Sequence, residues 1–346
     1  MIPGNKLGIL LLSRFYLGRH TFDQHTIETT YTGTNMRRVL HVGPCNTPGG
    51  MAKVIEILSK NPPEGWTTDS LDSHASKGFL SKLAKWREAK KFLKKNIDDY
   101  DIIHIHSAAD WSYRRKLSLA NIATGLGKPV IFHIHSGRFD EFAYGRREIK
   151  NQIEKFTTVV LTNYWQNKLQ PIIGKVSVIE NPIDPCLRNM HAVKKKSKQI
   201  LLLGRKDPVK GHKFAFELIR LMRDDGWHLK ATGTLHSEEA IQGLGWVSEE
   251  EKYSLLNESD VLIIPSEFEG QPLVMMEGLA AKCKVVASNK IPGLPSCVVS
   301  AEFNNLEDWM RKIKTSDKND AKKYIEDHDV KKISKKWAEL YNSLVT

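Results

Sequence analysis

Residues 261–288, VLIIPSEFEGQPLVMMEGLAAKCKVVAS, constrain the fold more than any other stretch of the chain. A run of β-branched and aliphatic residues, 261–264, is stopped by Pro265, which is the pattern of a buried strand. A polar loop follows. Leu273, Val274, Met276, Glu277, Leu279 and Ala280 then spread around a helical turn pattern, and Val285, Val286 and Ala287 read as the next strand. Strand, loop, helix and strand make the repeating unit of a parallel α/β sheet. A loop at the carboxyl edge of such a sheet, feeding a helix N-terminus, is where phosphorylated ligands bind. Glu269 precedes the helix and Glu277 lies within it, eight residues on. Any lone pair of glutamates is most often a pair of solvated carboxylates, so the string around them has to decide.

A second loop of the same kind lies upstream. Residues 200–204 read as a strand, GRKDPVKG (204–211) as the loop, and Phe214, Leu218, Ile219 and Met222 as the inward face of a helix. An arginine can fork onto phosphate oxygens and a lysine acts as a compact charge. In a chain this rich in Lys and Arg, one such pair would otherwise be a solvated loop.

Together the two strings resemble the signature of the retaining, nucleotide-sugar-dependent glycosyltransferases known as glycosyl transferases group 1. Pro265, Ser266, Glu269, Gly270, Pro272, Leu273 and Glu277 fall on that family's pattern, and 204–211 on its Gly-Arg-x-x-x-x-Lys-Gly. Gly278, Lys282, Lys284 and Ser296 depart from it, standing where Ala, Gly, Pro and an acid are usual. The resemblance covers about residues 36–345 and is strongest from 200 to 295. It implies a GT-B architecture: two Rossmann-like domains with parallel sheets facing a central cleft. By the same resemblance Glu269 meets the donor sugar, Glu277 grips the ribose, and the donor contacts include Arg205, Lys210, Gly270, Gln271, Pro272 and Leu273.

Length and charge agree with that reading. The 346 residues suffice for two ordinary domains. The net charge of +12 suits anionic partners: nucleic acid, phosphorylated small molecules or an acidic membrane face. No run approaches the about 18 apolar residues of a membrane span. Cys45, Cys186, Cys283 and Cys297 are scattered without metal spacing, as expected of reduced thiols in a cytoplasmic protein. The apolar stretch 7–12 is short for a signal peptide and is followed by Arg14. Residues 1–35 read as a poorly defined N-terminal extension, with the folded part starting at Met36.

In the first half, residues 39–42 form a short strand, then GPCNTPGG (43–50) leads into a helix at about Gly50. Gly49 and Gly50 let backbone N–H groups approach an anion closely, and the family has a Gly-Gly here facing the donor diphosphate. Residues 77–97 are a basic amphipathic helix with Phe79, Leu83, Trp86, Leu93 and Ile97 on one stripe. That stripe suits either docking on anionic lipid or burial in the core with the lysines left wet. DIIHIHSA (101–108) and PVIFHIHSG (129–137) are strands, with His104 and His106 on one face, and His133 with His135. Four histidines invite a zinc reading, but with no carboxylate at a telling spacing they read as hydrogen-bonded structural groups, and no metal is expected. Asp99 and Asp101 precede a strand instead of ending one, so they do not read as a metal-binding pair. In the family the last histidine of the second strand, here His135, lies beside the reacting sugar.

Residues 159–162 and 176–180 complete a first sheet, and NPIDP (181–185) resembles the family's inter-domain turn. The domains are expected at 36–190 (acceptor side) and 200–325 (nucleotide-sugar side), joined by a polar hinge at 191–199. A C-terminal helix, 326–346, with Ile333, Trp337, Leu340 and Leu344 on one stripe, should return to the first domain. Trp246 reads as a packing residue.

The reaction so implied moves a sugar from a nucleotide-diphosphate donor to a glycan or lipid-linked acceptor with retention. The family often serves cell-surface polysaccharide or lipopolysaccharide synthesis at the cytoplasmic face of the membrane. His135, Glu269, Arg205 and Lys210 are the expected catalytic set, with the nucleotide sugar as co-substrate and no cofactor. The rivals are a same-fold epimerase or phosphorylase, for which no pyridoxal lysine motif is present, and a basic nucleic-acid-binding protein. The second lacks any zinc-finger, RNP or helix-turn-helix string, so no nucleic-acid partner is expected.

Overall fold

The computed structural model describes residues 36–75, 78–189, 194–317 and 320–345, and the readings made for 1–35 lie outside them. The chain first lays down β1 (Arg37–Gly43), α1 (Gly50–Lys60), β2 (Trp66–Asp72), α2 (Phe79–Asn96), β3 (Ile102–Ser107) and α3 (Asp110–Gly125). β4 (Val130–Ile134), α4 (Phe139–Ala143), α5 (Arg147–Ile153), β5 (Thr157–Val160), α6 (Asn163–Ile173) and β6 (Ser177–Val178) complete a first lobe. Its six strands pair in the order β2-β1-β3-β4-β5-β6, parallel throughout.

The second lobe holds β7 (Lys196–Leu202), α7 (His212–Met222), β8 (His228–Thr232), β9 (Ile241–Gly245), α8 (Glu249–Glu258), β10 (Ser259–Ile264) and α9 (Leu273–Ala280). It continues through β11 (Lys284–Ser288), β12 (Val299–Ala301), α10 (Leu306–Thr315), α11 (Lys322–Asp327) and α12 (Val330–Asn342). The strand order is β12-β11-β10-β7-β8-β9, again parallel. The central strands carry almost unbroken apolar runs, Val261 to Ile264 being at most 3% exposed, because helices cover both faces. Each sheet reverses its winding once, between β1 and β3 and between β7 and β10. Those switch points open crevices beyond the strands' carboxyl ends.

Three local outcomes matter for function. β7 begins at Lys196, so 196–199, polar enough to read as hinge, are strand, while 190–193 lie outside the described residues. Parallel pairing of Lys196 with Ser259 and of Gln199 with His228 overrides the local polarity there. In α2, Ala89 and Leu93, and just past its end Ile97, are buried in the first lobe's core, with Trp86 and Phe92 packed on it. The helix stripe is therefore core-facing, and Trp86 also donates Nε1–H to Ser118 Oγ at 2.8 Å. Finally, α12 lies on the first sheet: Ile333, Trp337 and Tyr341 bury against Val39, Val54, Leu58, Trp66 and Ile102. Trp66 Nε1 donates to Asn342 Oδ1 at 3.1 Å. Burying three such side chains contributes about 1.5–3 kcal/mol each, enough to hold the chain's end across both lobes.

Candidate functional site

The loops leaving β4 and β10 meet across the lobes. A Cβ placed on Gly270 would lie 2.4 Å from the His135 carbonyl oxygen, and one on Gly137 would lie 2.3 Å from the Glu269 carbonyl carbon. Backbone passes backbone here, and only glycine permits it. Trp165 Nε1 clasps the joint by donating to the Gly270 carbonyl at 2.8 Å. We expect Gly270→Ala to cost about 1–3 kcal/mol through forced displacement of the two loops, read as a lowered urea midpoint with unchanged slope.

Lys210, on the loop after β7, places Nζ 2.5 Å from Glu269 Oε1. The loop reaches this position because Gly211 adopts φ 73°, where a Cβ would strike the Pro265 carbonyl oxygen at 2.7 Å. His135, Glu269, Gly270 and Lys210 thus share one neighbourhood, and Gly50 stands against Leu273 at the start of α9. Arg205 is exposed on the wall of a cleft of about 740 Å³. Thr47, Pro48, His74 and Lys82 line that cleft from the first lobe; Arg205, Lys206, Thr234, Leu235 and Trp246 line it from the second. Trp246 is 64% exposed there, which corrects its reading as a packing residue. It lies beyond the edge of β9, where no helix covers it.

Glu277 is buried, with Oε1 2.8 Å from Lys252 Nζ. Burial raises its proton affinity against the pull of Lys252, and its Oε2 has no partner among the described residues. Lys252 also meets Glu249 at 2.9 Å, and Lys53 of α1 reaches Glu249 at 3.0 Å and Asp184 at 2.8 Å. Tyr253 donates its hydroxyl to Asp184 at 2.6 Å. Burial opposes ionisation of Asp184, yet Lys53, Tyr253 and the Cys186 N–H hold its carboxyl well below the usual range. This chain of charges links α1 of one lobe to α8 and α9 of the other. Asp184 belongs to the NPIDP turn; Lys53, Glu249 and Lys252 carry no sequence signal beyond a capping box, Ser248 with Glu251, that starts α8.

Gln271 also hydrogen-bonds within the protein. Its Oε1 accepts from the Asn181 N–H at 2.7 Å, its carbonyl from Asn181 Nδ2 at 3.2 Å, and its Nε2 faces His328 Nε2 at 3.3 Å. Its buried amide is used up in joining the lobes. Gly270, Gln271 and Pro272 border a smaller cavity of about 240 Å³ with Tyr164, Ile291 and His328, away from the residues that line the larger cleft.

Beneath the cleft the histidines gather. His41, absent from the sequence reading, pairs in register with His104, and His106 with His133, so five imidazoles project from one face of the first sheet. His41 Nδ1 is 3.0 Å from His106 Nε2, and His106 Nδ1 is 3.0 Å from His135 Nε2. His104 bridges Tyr341 OH at 2.9 Å and His133 Nδ1 at 3.2 Å. Ligand nitrogens of His106, His133 and His135 lie within 4.8 Å of one another, and so do those of His41, His104 and His106. A neutral imidazole donates from one nitrogen and accepts at the other, so the His41–His106–His135 chain runs in one direction at a time. The tautomer of His135 is then tied to that of His41.

Two parallel α/β lobes, each with its switch point at a shared cleft, define a protein of the GT-B architecture. Residues 185–337 match the family described as glycosyl transferases group 1, and residues 64–187 match glycosyltransferase family 4. Glycosyltransferase families are thus matched across both lobes, over residues 64–337. A Klebsiella pneumoniae relative, described as an uncharacterized 41.2 kDa protein in the cps region, is 24% identical over 323 residues, covering 81% of this chain and 89% of its own. An uncharacterized glycosyltransferase of Haemophilus influenzae is 26% identical over 203 residues, covering 50% of this chain and 56% of its own. Among solved structures, the lipopolysaccharide outer core galactosyltransferase WaaB superposes with TM-score 0.60 at 15% identity, covering 88% of this chain and 99% of that one. TarM of S. aureus, solved with UDP and alpha-GlcNAc-glycerol, gives TM-score 0.60 at 19% identity, covering 75% of this chain. The chain spans 59% of that TarM chain.

Proposed function

We propose that the protein transfers a sugar from a nucleoside-diphosphate sugar to a glycan or lipid-linked acceptor, with retention at the anomeric carbon and without a metal ion. The observation that carries this reading is the meeting of His135, Glu269 and Lys210 where the loop leaving β4 of one lobe touches the loops leaving β7 and β10 of the other, with Arg205 on the adjoining wall. When the bond between the anomeric carbon and the diphosphate oxygen breaks, its electron pair stays with the diphosphate. Fixed positive groups aimed at that growing charge are the largest catalytic contribution available. Arg205, Lys210 and the N–H groups around Gly49 and Gly50 suit this task. The departing diphosphate takes the acceptor hydroxyl's proton as the new glycosidic bond forms, while His135 orients the sugar. The unpartnered Oε2 of Glu277 suits a ribose hydroxyl as its donor.

The Klebsiella relative's cps region and the likeness to WaaB favour a place in cell-surface polysaccharide or lipopolysaccharide synthesis. Among the described residues no helix is long and apolar enough to cross a membrane. Exposed Lys91, Lys94 and Lys95 on the outer side of α2 suit peripheral contact with anionic lipid at the cytoplasmic face, where a lipid-linked acceptor is presented.

A thermal-shift panel of UDP-, GDP- and ADP-sugars tests the donor reading. One base should raise the melting point at saturation, by the equivalent of about 2.7 kcal/mol at a hundredfold excess over Kd, with EDTA making no difference. A flat response to all three would refute it.

A further inference from the structure

We propose that the first-lobe wall of the cleft is a second anion site, which holds a phosphate of the acceptor opposite the donor's diphosphate. The proposal rests on the transferase reading above and extends it to the acceptor's chemistry. The chain leaving β2 brings His74 to the cleft, and the first turns of α2 bring Lys82 beside it. From α3, Arg115 sets Nη2 3.3 Å from His74 Nδ1. Its Nε is buried and has no hydrogen-bond partner among the described residues. The next residue, Lys116, is buried and donates to Ser73 Oγ. Burial, then Arg115, Lys116 and Lys82, in that order, hold His74 below its ordinary pKa against the pull of Asp72, so three basic side chains stand around one imidazole.

One carboxylate, Asp72, stands among them and pulls the other way. Asp72 is engaged by the backbone N–H groups of Cys45 at 3.2 Å and His74 at 3.3 Å, and by Asn46 Nδ2 at 3.3 Å. Among the described residues no ion pair joins an acid to Lys82, Arg115 or Lys116, whereas Lys53, Lys210 and Lys252 each have one. Burial first, then Arg115, bring Lys116 down to about 7 against the pull of Cys45 and Asp72, so holding its charge here has a cost. An anion in the cleft relieves that cost, and a half-buried guanidinium beside an imidazole is well suited to phosphate oxygens. Arg205 and Lys210 on the other lobe serve the diphosphate, so this wall is left for a different ligand. A lipid phosphate and a soluble sugar phosphate share the chemistry required.

The test uses the full chain saturated with whichever nucleoside diphosphate the panel selects, titrated with inorganic phosphate by calorimetry. Wild type should bind phosphate in the presence of the nucleotide. The Arg115→Gln/Lys82→Gln pair should weaken phosphate about tenfold or more while nucleotide affinity stays within about twofold. Lys210→Ala should show the reverse pattern. Lys82→Gln alone, on the surface of α2, should weaken phosphate a few-fold and covers the case in which the double variant does not fold. Farnesyl phosphate in detergent and glycerol phosphate then compete for the bound phosphate, and the stronger competitor names the lipid or the soluble source. No phosphate binding to the loaded wild type, binding unchanged in the variants, a nucleotide loss in step with it, or displacement by neither competitor would overturn the proposal. Should no nucleotide bind, the donor reading fails by itself. Phosphate titration of the free protein with the same variants then still decides this one.

Discussion

Lys210→Ala should lower sugar transfer about 10² to 10³-fold, the scale on which one preorganised donor to a developing anion acts. The position is built for it. Gly204 backs the aliphatic stem, its nearest contact to a notional Cβ being Lys210 Cγ at 3.4 Å, and the ammonium is held 2.5 Å from Glu269. The pair is only 25% and 15% exposed, so water screens it weakly and each charge depends on the other. Removing the lysine therefore has two consequences: the leaving diphosphate loses a cation, and Glu269 is left without one. The double variant Lys210→Ala/Glu269→Gln separates them. It should regain most of the thermal stability lost in Lys210→Ala while its turnover stays low. A steady-state transfer assay in which Lys210→Ala keeps near wild-type rate would remove this residue from the mechanism.

Acid should unfold the protein earlier than carboxylate chemistry predicts. Burial holds His41 and His135 at about 3 and keeps His104, His106 and His133 well below the ordinary imidazole value. In the unfolded chain these groups titrate near pH 6.5, so below that the unfolded state binds protons that the folded state refuses. Stability is therefore complete above about pH 6.5 and falls as pH drops from there toward the folded values. Each histidine costs up to about 1.4 kcal/mol per pH unit, and five together on the order of 7 kcal/mol per unit. Against a total of about 5–15 kcal/mol, the fold should be lost within a few pH units of neutrality. Asp184 acts in the same direction but only below about pH 4, where free carboxyls begin to protonate. Urea midpoints followed from about pH 8 to pH 4 should thus fall steeply from pH 6.5, with His41→Gln shallower by about a fifth of the slope. A midpoint that holds level down to about pH 5 would show that the cluster takes up protons in place.

Short-range signals carried much of the architecture. The apolar run 261–264, the 3–4 spacing in 214–222 and the glycine–arginine–lysine loop just ahead of that helix are local patterns with local causes, and each became the element it resembled. Polarity misled at 196–199, where ladder pairing outweighs composition, and at Trp246, where an aromatic residue lies open to the cleft. The α2 stripe was ambiguous for a different reason. Amphipathic helices look alike whether their apolar face meets lipid or a core, and only the presence of α3 and its Ser118 settled the matter.

What the amino-acid order determined alone is the pair of α/β units and the two loops that carry Lys210 and Glu269, because strand, turn and helix propensities act over a few residues. The tertiary structure decided which side chains work together: Lys53 with Asp184 and Glu249, Gln271 with Asn181, Arg115 with His74, and His104 with Tyr341, 237 positions away in the chain. Such partners are chosen by the register of parallel strands and the path of α12 across both lobes. Charge pairing and imidazole hydrogen bonds act through space over a few ångströms, and distance along the chain carries no record of it.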